Sequence, residues 1–205
     1  MNQDNENLSK QKQRTRTHLK EALTSLIKKK GYHAVTVKDI VETSAYNRST
    51  FYTHYKDKEE MAEEMLHTLL HGLEEAVGSP YRPGQTVYTS KLNAPSFNIV
   101  AYVYDNRDMF ELINYNDTLP GLLQGFPQTI LSIYEERFLF QTINDLPVHM
   151  DYFKRYTAYG FYGLLQHWIA GGFATSKESF IEEVIALTRT HIYSLKYIGP
   201  EEETD

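Results

Sequence analysis

The chain has 205 residues, of which 41% are hydrophobic and 23% are charged, with a net charge of −6 and no cysteine. This composition supports a folded core, divided between a small and a larger domain, and excludes disulfide-bonded and thiolate-metal proteins. The sequence contains neither a long apolar run nor a basic segment before a hydrophobic stretch. We therefore predict no membrane span and no signal peptide, and expect a cytoplasmic protein.

The N-terminal residues predict an arm followed by a helix. Residues 1–9 are polar, which is typical of a disordered arm. Between residues 13 and 30, apolar side chains recur on one stripe, three lysines end the run, and Gly31 follows as a predicted C-cap. We expect this helix to support the segment that comes next.

A short helical pattern follows. Thr36 and Asp39 have the spacing of a capping box, which predicts a helix that begins near Val37. Residues 44–47 then break the periodicity with small and turn-tolerant side chains. This segment therefore predicts one short helix and a tight turn.

A second short helical pattern lies after that turn. Residues 48–55 place Phe51 and Tyr55 at positions i and i+4, on one face. A new helix start is predicted at Lys58. Two helices joined by so short a turn cross at a steep angle, as in a helix-turn-helix.

Positive charge is concentrated in the same part of the chain. Residues 8–58 carry twelve Lys or Arg and four Asp or Glu, a local net charge of +8 in a chain of −6. Because phosphate neutralisation and counterion release supply most non-specific DNA affinity, a basic domain of this kind favours a duplex partner. A solvated charged face is the alternative interpretation, and the coincidence with a helix-turn-helix favours DNA.

The remaining sequence predicts a helical body. A long helix over residues 58–77 is followed by a connection rich in proline and glycine. The run Thr86–Thr89 has a strand-like pattern that is too short to predict a strand. Further helices are predicted over residues 97–104, 107–115, 127–143, 150–170 and 177–197.

The motifs between residues 13 and 61 occur in a specific order: an apolar helix, the turn SAY at residues 44–46, the segment STFY at residues 49–52, and the run KEEM from Lys58. In this order the chain resembles the tetracycline-repressor (TetR) class of bacterial regulators. It departs from that family at Ala45, where the family usually has glycine. If the position requires a left-handed backbone, alanine costs about 1 kcal/mol or more.

The resemblance implies an all-α fold. After the arm of residues 1–9, residues 10–57 would form a three-helix DNA-binding domain, and residues 58–205 a helical bundle for ligand binding and dimerisation. The last two helices would form a homodimer that presents two recognition helices to a roughly palindromic operator. Burial of their apolar faces within one monomer is the alternative.

The resemblance also assigns DNA contacts. The helix over residues 48–55 would lie in the major groove, where Arg48 can bind guanine and Ser49 and Thr53 can touch base edges. For two of the other residues there are alternatives: Tyr52 as a core aromatic and His54 as a solvated side chain. The family positions that contact phosphates correspond here to Thr36, Thr50, Tyr52, His54 and Lys58. Val37 is also predicted to contact DNA.

The predicted body is rich in aromatic residues, which suits an apolar or aromatic small-molecule inducer. Each of these residues also fits an ordinary core role. His67 and His71 lie four apart but lack the glutamate of an HExxH motif, so we predict no metal and no cofactor. The residues predicted to bind the inducer are Phe110, Tyr134, Phe138, Tyr156, Tyr159 and Tyr162.

The resemblance therefore implies a ligand-responsive transcriptional repressor. Because no catalytic motif occurs, the sequence predicts no enzyme. A coactivator or coregulator that acts mainly through protein partners is the alternative. Arg48, Tyr52 and Lys58 favour direct DNA contact, whereas Ala45 is the dissenting residue. A third class, a hydrophobic-ligand carrier or a degraded enzyme, disagrees with the basic charge of residues 8–58.

Overall fold

The computed structural model describes residues 2–199, with side chains from Ser9 onward; Met1 and residues 200–205 lie outside this range. The chain forms two compact units. One unit, called the head here, comprises the residues up to Thr68 together with Leu112–Leu122. The other, called the body, comprises Leu69–Glu111 and the residues from Leu123 onward.

The head is built from helices α1 (Asn2–Lys30), α2 (Val37–Thr43) and α3 (Arg48–His54) and from the first part of α4 (Lys58–Gly78). The predicted starts of α2, α3 and α4 are confirmed. Helix α1 starts earlier than predicted, so the segment predicted as an arm is helical from residue 2. Once a helix is nucleated, each added residue forms one more backbone hydrogen bond, so polar residues can extend it without packing.

The apolar stripes of these helices form the core of the head. Phe51 and Tyr55, the pair predicted to face inward from the second short helix, are 0% and 2% exposed. The segment Leu112–Leu122 also belongs to the head, because Tyr32 donates its backbone N–H to the Asp117 carbonyl and His33 donates its own to the Asp117 carboxylate. The other fully buried side chains of the helices include Leu19, Leu23, Ile27, Ile40 and Met61.

The body combines helices with a small sheet. Its strands are β1 (Thr86–Tyr88), β2 (Phe138–Thr142) and β3 (Ile192–Tyr197), in the antiparallel order β1-β3-β2. Phe138 lies opposite Tyr197, and Val87 lies opposite Leu195. The helices are α5 (Asn98–Asp105), α6 (Arg107–Phe110), α7 (Leu122–Glu136), α8 (Met150–Ala170) and α9 (Lys177–Thr188).

Two predicted helices were wrong at their C-terminal ends. The helix predicted over residues 127–143 is α7 followed by β2, and the one over residues 177–197 is α9 followed by β3. Short apolar runs rich in β-branched and aromatic residues fit both periodicities, and the pairing of β2 with β3 decides between them. The helix predicted over residues 107–115 is α6 and a 3₁₀ turn.

Candidate nucleic-acid interface

A capping box fixes the start of α2. The Thr36 hydroxyl accepts a hydrogen bond from the Asp39 backbone N–H, and the Asp39 carboxylate accepts the Thr36 backbone N–H at 2.7 Å and the Thr36 hydroxyl at 2.6 Å. Lys30 Nζ lies 2.9 Å from the same carboxylate. The hydrogen bonds from Thr36, followed by that from Lys30, hold the pKa of Asp39 well below its usual range. Asp39 thus ties the end of α1 to the start of α2.

The turn between α2 and α3 contains a left-handed alanine. Ala45 has φ of 59°, a conformation that normally favours glycine. The backbone N–H of Tyr46 returns to the Val41 carbonyl at 3.0 Å, which closes the turn. Position 45 therefore does have the left-handed backbone for which the family's usual glycine is suited.

Asn47 is the N-cap of α3, a role that the sequence analysis missed. Its side-chain oxygen accepts hydrogen bonds from the Thr50 backbone N–H at 2.8 Å, the Ser49 hydroxyl at 2.6 Å and the Thr50 hydroxyl at 3.0 Å. Asparagine directly before the first helical residue is a signal that could have identified it. One amide oxygen thereby fixes the first turn of the helix that carries the predicted base contacts.

The outer face of α3 is exposed and polar. Arg48, Ser49 and Thr53 are exposed and Tyr52 is 52% exposed, whereas Phe51 between them is buried. Tyr52 is therefore a surface residue and not part of the core. Arg48 forms no hydrogen bond or ion pair with any described residue from Ser9 to Gly199, so its guanidinium is available to a ligand.

Lys58 points into the head. Its Nζ donates to the carbonyls of Tyr32 at 3.1 Å and Val35 at 2.8 Å, lies 3.5 Å from that of His33, and is 4.4 Å from the centre of the Tyr32 ring. These contacts hold the loop between α1 and α2. The ammonium predicted to bind phosphate is thus engaged within the protein.

The remaining predicted DNA contacts lie at the ends of α2 and α3. Thr36 is exposed, and Val37, Thr50 and His54 are half-buried. Burial, followed by the charges of Arg16 and Lys12, lowers the pKa of His54. A neutral imidazole still has one N–H to donate to a phosphate oxygen.

Part of the basic charge is neutralised inside the head. The Glu64 carboxylate forms ion pairs with Arg16 and with Lys20, the latter at 2.7 Å. The Arg16 guanidinium also lies 4.9 Å from the centre of the Tyr55 ring. By contrast, Arg14 and Arg48 are exposed and form no ion pair with the described side chains, so they leave their charge for an external anion.

Two neighbouring cavities in the body contain three of the six predicted ligand-binding residues. A cavity of about 50 Å³ is lined by Tyr134 and Phe138, and one of about 230 Å³ by Tyr134 and Tyr156. The other three, Phe110, Tyr159 and Tyr162, line neither cavity. Phe110 is fully buried, Tyr159 is 49% exposed, and Tyr162 packs edge-on against Phe126.

The described residues give no support to a metal site or a membrane span. Between residues 9 and 199, no group of three or more His, Cys, Asp or Glu side chains is placed to hold a metal ion. In the same part of the chain, no helix has the length and apolar character needed to cross a bilayer.

Comparisons with known proteins agree with this geometry. The family model for bacterial regulatory proteins of the tetR family matches residues 20–65, and the model for a transcriptional regulator C-terminal region matches residues 96–190. The uncharacterized HTH-type transcriptional regulator YxbF of Bacillus subtilis (strain 168) is 23% identical over 169 residues, which is 81% of this chain and 42% of that protein. The chain thus spans less than half the length of this relative.

Solved structures share the fold. A TetR transcriptional regulator from Streptococcus agalactiae 2603V is 22% identical, with a TM-score of 0.56 over 87% of this chain and 96% of that chain. A transcriptional regulator from Aquifex aeolicus VF5 is 14% identical, with a TM-score of 0.58 over 86% of this chain and 98% of that one. The two family models together cover most of the sequence, and the chain belongs to the TetR family of DNA-binding transcriptional regulators, which are not enzymes.

Proposed function

We propose that this regulator is a ligand-responsive repressor that binds a roughly palindromic operator as a homodimer and leaves it when a small molecule binds. The observation that carries the DNA-binding part is the outer face of α3. There the free guanidinium of Arg48 lies beside exposed Ser49, Tyr52 and Thr53 on a helix whose start is fixed by Asn47.

The hydrogen bonds within α3 determine whether each residue proposed to contact a base acts as a donor or an acceptor. Arg48 donates and suits the O6 and N7 acceptors of guanine. The Ser49 hydroxyl donates to Asn47 and the Thr53 hydroxyl donates to the Ser49 carbonyl, so both oxygens present lone pairs. Ser49 and Thr53 therefore fit an amino group of adenine or cytosine, and the Thr53 methyl fits a thymine methyl.

Phosphate contacts position the helix on the duplex. We assign them to Tyr52 and His54, with Thr36, Val37 and Thr50 at the neighbouring helix starts. Lys58 contributes indirectly: its ammonium donates hydrogen bonds to the Tyr32 and Val35 carbonyls and so fixes the loop between α1 and α2. In this assignment Lys58 acts on DNA affinity through the shape of the head.

The homodimer is proposed through α8 and α9. Tyr152, Tyr156 and Tyr159 of α8 are 74%, 75% and 49% exposed, and Leu187 of α9 is 44% exposed. A second copy covering this face would bury apolar area that a monomer leaves in water. Two-fold symmetry would then present two α3 helices to half-sites about one helical turn, or a multiple of it, apart.

The ligand response requires the body to influence the head. The chain passes between the two units within α4 and at both ends of Leu112–Leu122, which gives three covalent routes. A ligand in the body would lower operator affinity only if it preferred a dimer with an incompatible head spacing. Because a bacterial regulator meets its operator inside the cell, we place the protein in the cytoplasm.

Selection of bound sequences from a random duplex library, at two salt concentrations, tests the DNA-binding part. The expected result is a palindrome with fixed half-site spacing that is recovered at both concentrations. Light scattering of the selected complex would give two chains per site. Recovery of salt-sensitive, sequence-indifferent binding would instead support the coregulator that acts mainly through protein partners.

A further inference from the structure

The segment Leu112–Leu122, called the inserted segment here, belongs to the head although the chain on either side of it belongs to the body. The Thr118 hydroxyl donates to the Leu112 carbonyl at 2.6 Å, and both residues are buried. Leu119 and Leu122 are 0% exposed. The inserted segment is therefore a packed element of the head and not a loose surface loop.

Asp117 of the inserted segment contacts the loop between α1 and α2. Gly31, at the start of this loop, has φ of 78°, and a Cβ built on it would overlap the Asp117 carboxylate. The Tyr32 backbone N–H donates to the Asp117 carbonyl at 3.1 Å, and the His33 backbone N–H donates to the Asp117 carboxylate at 3.1 Å. The His33 ring Nδ1 lies 2.6 Å from the other carboxylate oxygen. Asp117 thus contacts three consecutive residues of the loop.

The same loop is held through its carbonyl groups by Lys58, whose ammonium donates to the carbonyls of Tyr32 and Val35. The N–H groups of the loop bind Asp117, so both kinds of backbone group are fixed by residues distant in sequence. The loop ends at Thr36, the N-cap of α2 and one of the proposed phosphate contacts. The position of this contact therefore depends on how the loop is held.

We propose that Asp117 is a positioning residue for DNA binding, because it keeps the loop, and with it the start of α2, where Thr36 can contact a phosphate. The hydrogen bond with the His33 side chain lowers the pKa of Asp117, so the carboxyl group is ionised at neutral pH. A negative charge by itself disfavours DNA. The direct effect of the charge and the effect through the loop thus have opposite signs.

The proposal places one determinant of DNA affinity on a segment whose two ends lead into the body. It goes beyond the repressor proposed above and does not depend on the ligand response.

Asp117→Ala in the full-length protein tests the proposal. The Asp117 side chain is 38% exposed, so we expect the variant to fold. Fluorescence anisotropy measures its Kd for the selected operator and for a random-sequence duplex. Both Kd values should rise about tenfold, because apparent affinity falls with the fraction of molecules whose loop is correctly placed. The slope of log Kd against log salt should stay the same, since the same phosphates are contacted.

Two further variants separate charge from positioning. Glu63→Ala removes one negative charge from an exposed residue of α4 in the head, and it should leave both Kd values unchanged or slightly lower. In Asp117→Asn the amide oxygen can accept the His33 backbone N–H and the amide nitrogen can donate to His33 Nδ1. This conservative variant should restore both Kd values to within about twofold of the wild type. Thermal melting verifies that all three variants fold.

Hydrogen exchange without DNA tests the loop directly. The Tyr32 amide is the informative one, because its acceptor is the Asp117 backbone carbonyl, which Asp117→Ala retains. Its exchange should become about tenfold faster in Asp117→Ala if the carboxylate holds the loop, and should stay as in the wild type in Asp117→Asn and Glu63→Ala.

Three results would overturn the proposal: duplex binding by Asp117→Ala as tight as or tighter than that of the wild type, a loss in Asp117→Asn equal to that in Asp117→Ala, or unchanged exchange of the Tyr32 amide. If the wild type bound neither duplex, this proposal and the proposed repressor would fail together. Tight binding by the wild type with an unchanged Kd in Asp117→Ala would refute the role of Asp117 alone.

Discussion

The proposed DNA-binding surface of the head is fixed by several hydrogen bonds to single side chains, whereas the body borders two cavities. In the head, one oxygen of Asn47 accepts three donors, and the ammonium of Lys58 holds the carbonyls of Tyr32 and Val35. In the body, His191 Nε2 is buried beside a cavity and has no partner among the described residues. The difference indicates that the head keeps its proposed DNA-binding surface fixed, whereas the body leaves space that a ligand can fill.

The head has one counterpart of His191. The hydroxyl of Tyr32 is also buried without a partner among the described residues. Burial, followed by the charges of Glu59 and Asp57, raises the pKa of Tyr32 to about 12, so the hydroxyl stays protonated. The Lys58 ammonium lies against the Tyr32 ring, and this cation–π contact compensates part of the cost of burying the Tyr32 side chain.

The largest expected difference concerns core truncation. Phe51→Ala removes a ring that is 0% exposed from the core of the head, and we expect a loss of about 3–5 kcal/mol in the free energy of unfolding. Phe161→Ala in the body should cost less, because the Phe161 ring borders both cavities and no protein atoms pack against it there. Urea denaturation measures both. Equal losses would mean that the cavities do not loosen the packing around Phe161.

The next effect concerns the surface that the head presents. Arg48→Ala should lower affinity for the selected operator by about 1–3 kcal/mol and leave affinity for random duplex nearly unchanged. Arg14→Ala, which removes an exposed arginine of α1, is the matched control and should not discriminate between the two duplexes. Fluorescence anisotropy at fixed salt measures both. If Arg48→Ala weakened binding to both duplexes equally, Arg48 would contact phosphate and not a base.

A smaller effect concerns the cap of α3. Asn47→Ala removes the acceptor for the Thr50 backbone N–H and should destabilise the protein by about 1 kcal/mol. Asn47→Asp keeps an acceptor at the same place and should retain most of the stability. Thermal and urea unfolding provide the values. If Asn47→Ala were as stable as the wild type, water would satisfy the start of α3 equally well.

Sequence reasoning succeeded where the determinants are local. The capping box of Thr36 and Asp39 and the i, i+4 pair of Phe51 and Tyr55 lie within single helices, so spacing alone located α2 and α3. Strands β2 and β3 were missed because each depends on pairing with a distant segment. Hydrogen bonds between distant residues could not be predicted either, since nothing in the sequence indicates that Lys58 reaches the Tyr32 carbonyl.

The cavity was predictable only in outline. Aromatic richness indicated a pocket for an apolar ligand, and Tyr134, Phe138 and Tyr156 do line the two cavities. His191 was missed because the rings that it contacts, Phe153 and Tyr156, lie on α8, far from it along the chain.

Two glycines of the body differ in how much space surrounds them. A Cβ built on Gly160, inside α8, meets nothing within 4 Å, whereas one built on Gly72 lies 2.3 Å from the Tyr102 hydroxyl oxygen. Gly160→Ala should therefore stabilise the protein by up to about 1 kcal/mol through helix propensity. Gly72→Ala should destabilise it, because Tyr102 must move. A destabilising Gly160→Ala, measured by urea denaturation, would show that the space beside α8 is not free.

The smallest effect concerns the strained turn of the head. Ala45→Gly relieves a left-handed conformation that costs about 1–2 kcal/mol, but glycine also makes the unfolded chain more flexible by about 0.4–1 kcal/mol. The net gain in the free energy of unfolding should lie between about 0 and 1.6 kcal/mol, which paired urea curves can resolve. Ala34→Gly, at an exposed alanine without a positive φ, is the control and should lower stability because it carries only the cost of added flexibility. If Ala45→Gly lowered stability to the same extent, the turn would hold Ala45 without strain. The departure from the family's glycine would then have no energetic consequence for the head.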